Sequence, residues 1–391
     1  MNIIIFTDTY PPEINGVATS TNNLYKLLKS RGHNVYVVCT NPYSKTFQFE
    51  NDILRIPGIE LKKLYSYRLS GIYNSKAMKI IKSLKPDIIH VNTEAGIGTF
   101  GRIVSRKLHK PLVYTYHTMY EDYTYYVTKS NGIFDRVAKS FVRTFSKVLA
   151  NNTTEFISPS DKTKDAIRNY GYDSYINVVP TGIDFSKYSH DAIDDNMIKE
   201  LKNKYDLNDC FVVLSLGRVA KEKSIDICIK GFKNFLKNYD GKAKMLVVGG
   251  GPNLVELQEL AGELSLSDKV IFTGPVDPDE VPLYYHLADV FVSASVTETQ
   301  GLTFLEAMAS RVLVLARFDE NLIDVILDNE TGFYFESELD LSDTILKTIN
   351  MDSSNKKKIL DNATKLIEKY SLDNFYNNIM EVYKRALRKY W

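Results

Sequence analysis

Short apolar runs recur along this chain, each followed by a stretch in which the apolar residues take helical spacing, and the whole pattern occurs twice. In the first series Ile3–Phe6, Asn34–Cys39, Ile88–Val91 and Leu112–Tyr116 read as strands, with Thr21–Ser30 and Ser75–Leu84 as helices. The second series passes through Phe211–Leu216, Lys244–Val248, Val270–Phe272, Val290–Ala294 and Leu313–Ala316, separated by helices near 224–237, 254–264, 302–310 and 355–369. Such alternation argues for an α/β protein with parallel sheets. A chain of 391 residues is large for one core and comfortable for two. Two doubly wound domains are therefore expected, 1–175 and 176–371, divided near Gly171–Asn177. Periodicity does not place the last helix, 372–391.

Apolar residues at 44% and charged residues at 25% are ordinary globular values. Cys39, Cys210 and Cys228 are far apart and lie mostly in apolar runs, which suits reduced buried thiols better than a disulfide framework. No Cys/His cluster has zinc-site spacing. Met1-Asn2-Ile3-Ile4-Ile5-Phe6 has neither a basic flank nor a cleavage site and reads as a first strand, not a signal peptide. No apolar run approaches the length of a membrane span. The expected location is cytoplasmic, peripheral on the inner face of the membrane.

Glu298-Thr299-Gln300-Gly301-Leu302-Thr303-Phe304-Leu305-Glu306 carries the most chemistry. It follows the strand-like run Asp289–Ala294, and Gly301 marks a turn into a helix whose N-terminal amides favour anionic ligands. Two carboxylates flanking an amide-rich turn suit a ligand bearing phosphate and hydroxyl groups. The spacing is also that of an ordinary strand-to-helix turn with solvated acids.

Arg218 and Lys223, in Gly217-Arg218-Val219-Ala220-Lys221-Glu222-Lys223-Ser224, are fixed cations able to neutralise a diphosphate, or simply surface residues after a strand. Gly16 is the one Gly at the first helix entry, so that turn is not a dinucleotide fingerprint, although a phosphate can still approach it. Gly249-Gly250-Gly251-Pro252 and Thr273-Gly274-Pro275-Val276 each end a strand. Asp277-Pro278-Asp279 reads as an acidic helix start, not a metal pair. His117 ends a first-domain strand in Tyr114-Thr115-Tyr116-His117-Thr118-Met119-Tyr120-Glu121-Asp122-Tyr123.

The Glu298–Ala309 segment resembles the Glu-x7-Glu motif of retaining glycosyltransferases built from two Rossmann-like domains facing a cleft, the GT-B architecture. Its wording is similar to that of bacterial 1,2-diacylglycerol 3-glucosyltransferases, and the resemblance covers nearly the whole chain. It implies that Glu298 with Gln300, Gly301, Leu302 and Thr303 binds the donor sugar, while Glu306 binds the ribose. Arg218, Lys223 and the Gly16 amide then meet the diphosphate, and the Gly274–Val276 backbone lies near the base. His117 lies beside the reacting sugar carbon, and the C-terminal helix crosses back to the first domain. Two departures stand out. Asn92 replaces the second His of a His-x-His-Thr-Glu string that begins at His90. Ser310-Arg311-Val312-Leu313-Val314 replaces both the Gly and the Pro of the usual continuation, a change expected to bear on the next turn but not on the donor contacts.

The net charge of +1 hides an asymmetry. Residues 1–175 hold 24 Lys and Arg against 14 Asp and Glu, which leaves 25 against 34 for residues 176–391. Residues 61–86 contain Lys62, Lys63, Arg68, Lys76, Lys79, Lys82 and Lys85 and no acid. Phe134–Leu149 combines Phe134, Phe141 and Phe145 at helical spacing with Arg136, Lys139, Arg143 and Lys147, as suits an anionic membrane interface or a basic helix packed on a sheet.

The expectation is a metal-independent, retaining transferase with UDP-glucose as co-substrate and no cofactor. Diacylglycerol is the expected acceptor and an anionic membrane the expected surface; no nucleic-acid or protein partner is indicated. A soluble or phosphatidylinositol acceptor, a sugar-nucleotide 2-epimerase and a non-catalytic lipid-binding protein are the alternatives.

Overall fold

Strands that are apolar on both faces must be covered on both faces, and this dictates the layering of each half of the chain. The computed structural model describes residues 1–13, 15–60, 68–117, 133–296, 298 and 300–390, without the side chains of 133–139, Phe141 and Asn321. It divides into two compact units, Met1–Gly182 with Leu372–Trp391, and Ile183–Ser371.

The first unit contains strands β1 (Asn2–Thr7), β2 (Asn34–Thr40), β3 (Gln48–Glu50), β4 (Ile53–Ile56), β5 (Gly58–Glu60), β6 (Arg68–Ser70), β7 (Ile88–Val91), β8 (Leu112–Thr115), β9 (Glu155–Ser158) and β10 (Ile176–Val178). Its main sheet runs β10-β9-β8-β7-β1-β2-β4-β3, parallel except for β3, and β5 pairs with β6 as a separate hairpin. Helices Ser75–Ser83 and Gly96–Leu108 help to cover one face through Ala77, Ile81, Ile97, Phe100 and Val104. The other face, made by Ile3, Ile5, Ile88, Val113 and Ile157, is covered by Leu24, Leu27 and Leu28 of the first helix and by the C-terminal helix Leu372–Tyr390. Phe375, Ile379, Val382, Tyr383 and Ala386 recur on one stripe of that helix, and all five are buried. Arg385 and Lys389, on the same helix, both reach the buried carboxylate of Glu155, at 3.2 and 2.8 Å.

The second unit contains β11 (Phe211–Leu216), β12 (Ala243–Val248), β13 (Val270–Gly274), β14 (Val290–Ser293), β15 (Leu313–Arg317) and β16 (Phe333–Phe335). They form one parallel sheet in the order β13-β12-β11-β14-β15-β16, with a core cluster on each face.

Three sequence expectations need correction. β10, placed by the sequence at the head of the second domain, is hydrogen-bonded to β9 in the first sheet, and the division falls between Gly182 and Ile183. A three-residue edge strand is too short to show a period. The first helix starts at Gly16, not Thr21, because the Asn15 side chain caps the Ala18 amide at 2.9 Å. The helix after Asp277-Pro278-Asp279 starts only at Val281, since Asp277 Oδ1 accepts from the Asp279 amide at 2.9 Å and closes a turn of its own.

Ile379 is 1% exposed in the stripe that covers the first sheet. Ile379→Ala is expected to destabilise the first unit by about 2–5 kcal/mol. The exposed Glu381→Ala on the same helix should stay within about 0.5 kcal/mol of the parent. Urea unfolding followed by circular dichroism distinguishes the two.

Candidate functional site

The order of the second sheet reverses between β11 and β14, the place where an open α/β sheet leaves a crevice at its carboxyl ends. β11 leads into Gly217-Arg218, and β14 leads into the segment that ends at Gly301. Lys223 Nζ donates to Glu298 Oε1 at 2.6 Å, joining the two segments. Burial alone would lift the Glu298 carboxyl, but the Lys223 ammonium, with hydrogen bonds from Lys223 and Ser295, holds it below the usual carboxylate range. Arg218 pairs with Glu222, whose side chain is only 2% exposed. The Glu298 amide in turn donates to Asp319 Oδ2 at 3.3 Å.

Gly301 caps the helix Leu302–Ala309 with φ of +69°, and a Cβ there would stand 2.6 Å from Leu322 Cδ2. Backbone conformation and space both require glycine at this turn. No side chain among the described residues caps the helix, so the Leu302 and Thr303 amides remain at an anion-favouring end, beside the buried Gln300. Glu306 lies one helical turn further on. Its Oε2 accepts from the Tyr285 hydroxyl at 2.9 Å, and the Tyr188 hydroxyl is a second donor. Burial outweighs both and pushes the carboxyl up to about 7.

Two further strand ends close in beside β11. The Gly249 amide donates to Gly274 O at 3.0 Å, and a Cβ on Gly249 would overlap Gly217 O at 1.9 Å. Val276 is partly buried beyond them. Past the helix, Arg311 takes φ of +57° where the family pattern has Gly, and it pairs with Asp361 at 2.7 Å. The turn therefore keeps its left-handed residue without glycine.

In the first unit the order reverses between β1 and β7. Gly16 opens the first helix, and beyond its chain neighbours no atom of the described residues lies within 4 Å of where its Cβ would stand, so that this side of the helix end is open to a ligand. His90 is fully buried, with Nδ1 2.7 Å from the Tyr383 hydroxyl and Nε2 2.8 Å from Thr115 Oγ1. Burial pushes it down to about 3, so it serves the core as a neutral ring. Asn92 donates to Thr21 Oγ1 at 3.0 Å. His117, just after β8, is pushed down to about 4 by burial and is a neutral imidazole at pH 7. Residues 118–123 of its motif, and Thr299 of the Glu298 motif, lie outside the described residues.

Helix Ile133–Asn151 turns Ser146 and Ala150 inward. Arg143, Phe145 and Val148 are exposed and Lys147 is partly so. The side chains of Arg136, Lys139 and Phe141 lie outside the described ones, as do Lys62 and Lys63. No helix among the described residues is long and apolar enough to cross a membrane.

The structure thus joins Lys223 to Glu298, but gives Arg218 and Glu306 partners that sequence reasoning missed. Glu222 stood inside the quoted Arg218–Lys223 string and could have been read as the arginine's counter-ion. Tyr188 and Tyr285 carry no local signal, because only the fold brings them to Glu306.

Lys223→Met leaves Glu298 with burial as its dominant influence. Glu298 with Lys223 contributes stability above the ordinary carboxyl range, and loses it as pH falls through the depressed folded value. At pH 7 the variant is expected to lose about 1–3 kcal/mol, discounted for a lysine side chain 29% exposed. The deficit should narrow towards pH 3.5 as Glu298 takes a proton, which urea titrations at the two pH values measure.

Residues 14–187 match the family Glycosyltransferase Family 4, and residues 177–366 match Glycosyl transferases group 1. The chain is 37% identical to the alpha-monoglucosyldiacylglycerol synthase of Streptococcus pneumoniae, over 99% of this chain and 86% of that one. It is 34% identical to the enzyme of the same name from Acholeplasma laidlawii, over 87% of this chain and 86% of the relative. Among solved structures, Anabaena Alr3699/HepE in complex with UDP-glucose has the same fold, with a TM-score of 0.75 at 18% identity, covering 97% of this chain and 98% of that one. The chain belongs to the GT-B glycosyltransferases, in the family that holds the bacterial alpha-monoglucosyldiacylglycerol synthases.

Proposed function

We propose that the chain transfers glucose from UDP-glucose to diacylglycerol, with retention of configuration, to make a membrane glycolipid. The observation that carries this reading is the cluster at the switch point of the second sheet, where Lys223, Glu298 and the helix N-terminus at Gly301 gather. Two relatives at 37% and 34% identity named as alpha-monoglucosyldiacylglycerol synthases support the choice of sugar and acceptor.

In the proposed reaction the bond from glucose C1 to the UDP oxygen breaks, while C1 bonds to the diacylglycerol hydroxyl on the same face. The hydroxyl proton passes to the departing phosphate oxygen. Arg218, Lys223, the Gly16 amide and the Gly301–Thr303 amides stabilise the growing diphosphate charge. Glu298 and Gln300 hold the donor sugar, Glu306 the ribose, and the backbone at Val276 the base. His117 contributes a neutral imidazole beside the reacting carbon, able to hydrogen-bond a sugar hydroxyl without placing a positive charge there.

Purified protein with radiolabelled UDP-glucose and diacylglycerol vesicles should yield labelled glycolipid, with EDTA present, and proton NMR should show the α anomer. Glu306→Ala is expected to raise the donor KM, and His117→Ala to lower kcat more than donor affinity. Each lost charge-assisted hydrogen bond costs about 1.5–3 kcal/mol, roughly ten- to hundredfold. Full activity in both variants refutes the assignment, and a β product refutes retention.

The acceptor reading brings a surface with it. We place the first unit on anionic lipid at the inner face of the membrane, through Arg136, Lys139, Phe141, Arg143, Phe145 and Lys147. Each cation near such a surface contributes about 1 kcal/mol. Sedimentation with vesicles should show binding that grows with anionic lipid and falls with salt. Lys139→Glu combined with Arg143→Glu should weaken it with the circular dichroism spectrum unchanged. Equal binding to neutral vesicles would refute the electrostatic account.

A further inference from the structure

Glu306 is held more elaborately than a surface carboxylate needs. Tyr285, fully buried on the helix Val281–His286, has its hydroxyl 2.9 Å from Glu306 Oε2 and 3.1 Å from the Thr303 carbonyl oxygen. Tyr188, at the end of the short turn Phe185–Tyr188, donates to the same carboxylate, and the two rings meet at 6.0 Å. The Tyr188 backbone is itself fixed, its carbonyl oxygen lying 2.9 Å from His286 Nε2. A carboxylate has about four lone-pair positions, and two tyrosine donors occupy half of them. The remainder match two adjacent hydroxyls of one ligand.

We infer that Tyr285 and Tyr188 are positioning residues for Glu306, aiming its free lone pairs at a vicinal diol and making the affinity for a ribonucleoside diphosphate sugar depend on pH. This rests on the reading of Glu306 as the ribose ligand. The physical cause is a balance at one carboxylate. Burial resists its charge and two phenolic donors favour it, so it ionises near neutrality instead of in the acid range. A protonated Glu306 gives up acceptor capacity toward both the tyrosines and the diol.

Of the other charged groups on the surrounding elements, Asp184 caps the turn that carries Tyr188 and opposes ionisation of that phenol. Lys187, beside Tyr188, lies 3.6 Å from Asp279, and His286 faces the Tyr188 carbonyl. On the helix Ser353–Ile367 Asp361 pairs with Arg311, while Lys357, Lys358 and Lys365 are exposed. Arg317, at the end of β15, acts on Cys228 in the opposite core cluster.

The test is calorimetric binding of UDP-glucose to the full chain from pH 5.5 to 8.5, a range in which its diphosphate diester does not titrate. Affinity is expected to rise as pH climbs through about 7 and then level off. Tyr285→Phe and Tyr188→Phe should each move the midpoint upward by about one pH unit, since one donor to the charged form is lost. Affinity should then fall about tenfold at pH 6.5 and much less at pH 8.5. A uniform loss at every pH, with the midpoint unmoved in both variants, overturns the inference and leaves the tyrosines as packing residues. Glu306→Gln should flatten the profile. If that variant binds with the parent's affinity and profile, the ribose assignment itself fails, whatever the tyrosines do.

Discussion

Parallel strands cannot be joined by tight turns, and each connection must cross a face of its sheet. From that constraint follow both the helical cover of each unit and the gathering of its candidate groups at one end. Every β-to-α turn emerges at the strands' carboxyl ends, so Asp8–Glu13, Gly16, Asn92–Glu94 and His117 share one edge of the first sheet. Gly217–Lys223, Gly249–Gly251, Gly274–Val276, Glu298 and Gln300–Gly301 share one edge of the second. Where the strand order reverses, neighbouring connections cross opposite faces, and the crevice left between them receives Lys223 and Glu298.

Charge in that crevice is balanced locally. Lys223 faces Glu298 and Arg218 faces Glu222, with the cations a quarter to a third exposed and the carboxylates much less so. At an effective dielectric of about 20, opposite charges 4 Å apart attract by about 4 kcal/mol, so each pair orders its cation without sealing it from competition. On the proposed reading a diphosphate would bring a stronger anion to cations already held in place, and the carboxylates would turn to sugar hydroxyls. Glu306 follows a different logic. Among the described residues two phenols and no cation act on it, and so its charge is the most easily withdrawn of the set.

The long strands and the two-domain division were legible because β1, β7, β11 and β15 are nearly unbroken apolar runs. Short or edge elements were not. β3, β4 and β10 have three or four residues, below the length at which a period can be seen, and the division near residue 175 was misjudged for that reason. The last helix was legible as a helix, but periodicity does not say which sheet it covers. In the candidate site, residues within one motif could be named from the chain, whereas Tyr188, Tyr285 and Asp319 reach it through the fold alone. Arg311 shows the opposite limit. Its sequence departs from the family pattern, yet the backbone keeps a left-handed turn and accepts a cost of roughly 1–2 kcal/mol for a side chain with a Cβ.

The C-terminal helix has a consequence for synthesis. A ribosome adds about 5–20 residues per second, and domains tend to fold as they emerge. Here the second unit, residues 183–371, is an insertion between the body of the first and its last helix. The second unit can therefore complete its core during translation, while the first cannot. Until residues 372–390 leave the exit tunnel, the sheet face bearing Ile3, Ile5, Ile88, Val113 and Ile157 keeps the cover of the first helix, Gly16–Ser30, through Leu24, Leu27 and Leu28, but lacks the stripe of Phe375, Ile379, Val382, Tyr383 and Ala386. The portion made first is finished last, and the part of its apolar face that awaits the last helix is open to chaperones, or to membrane, for the whole time the ribosome spends on the other half.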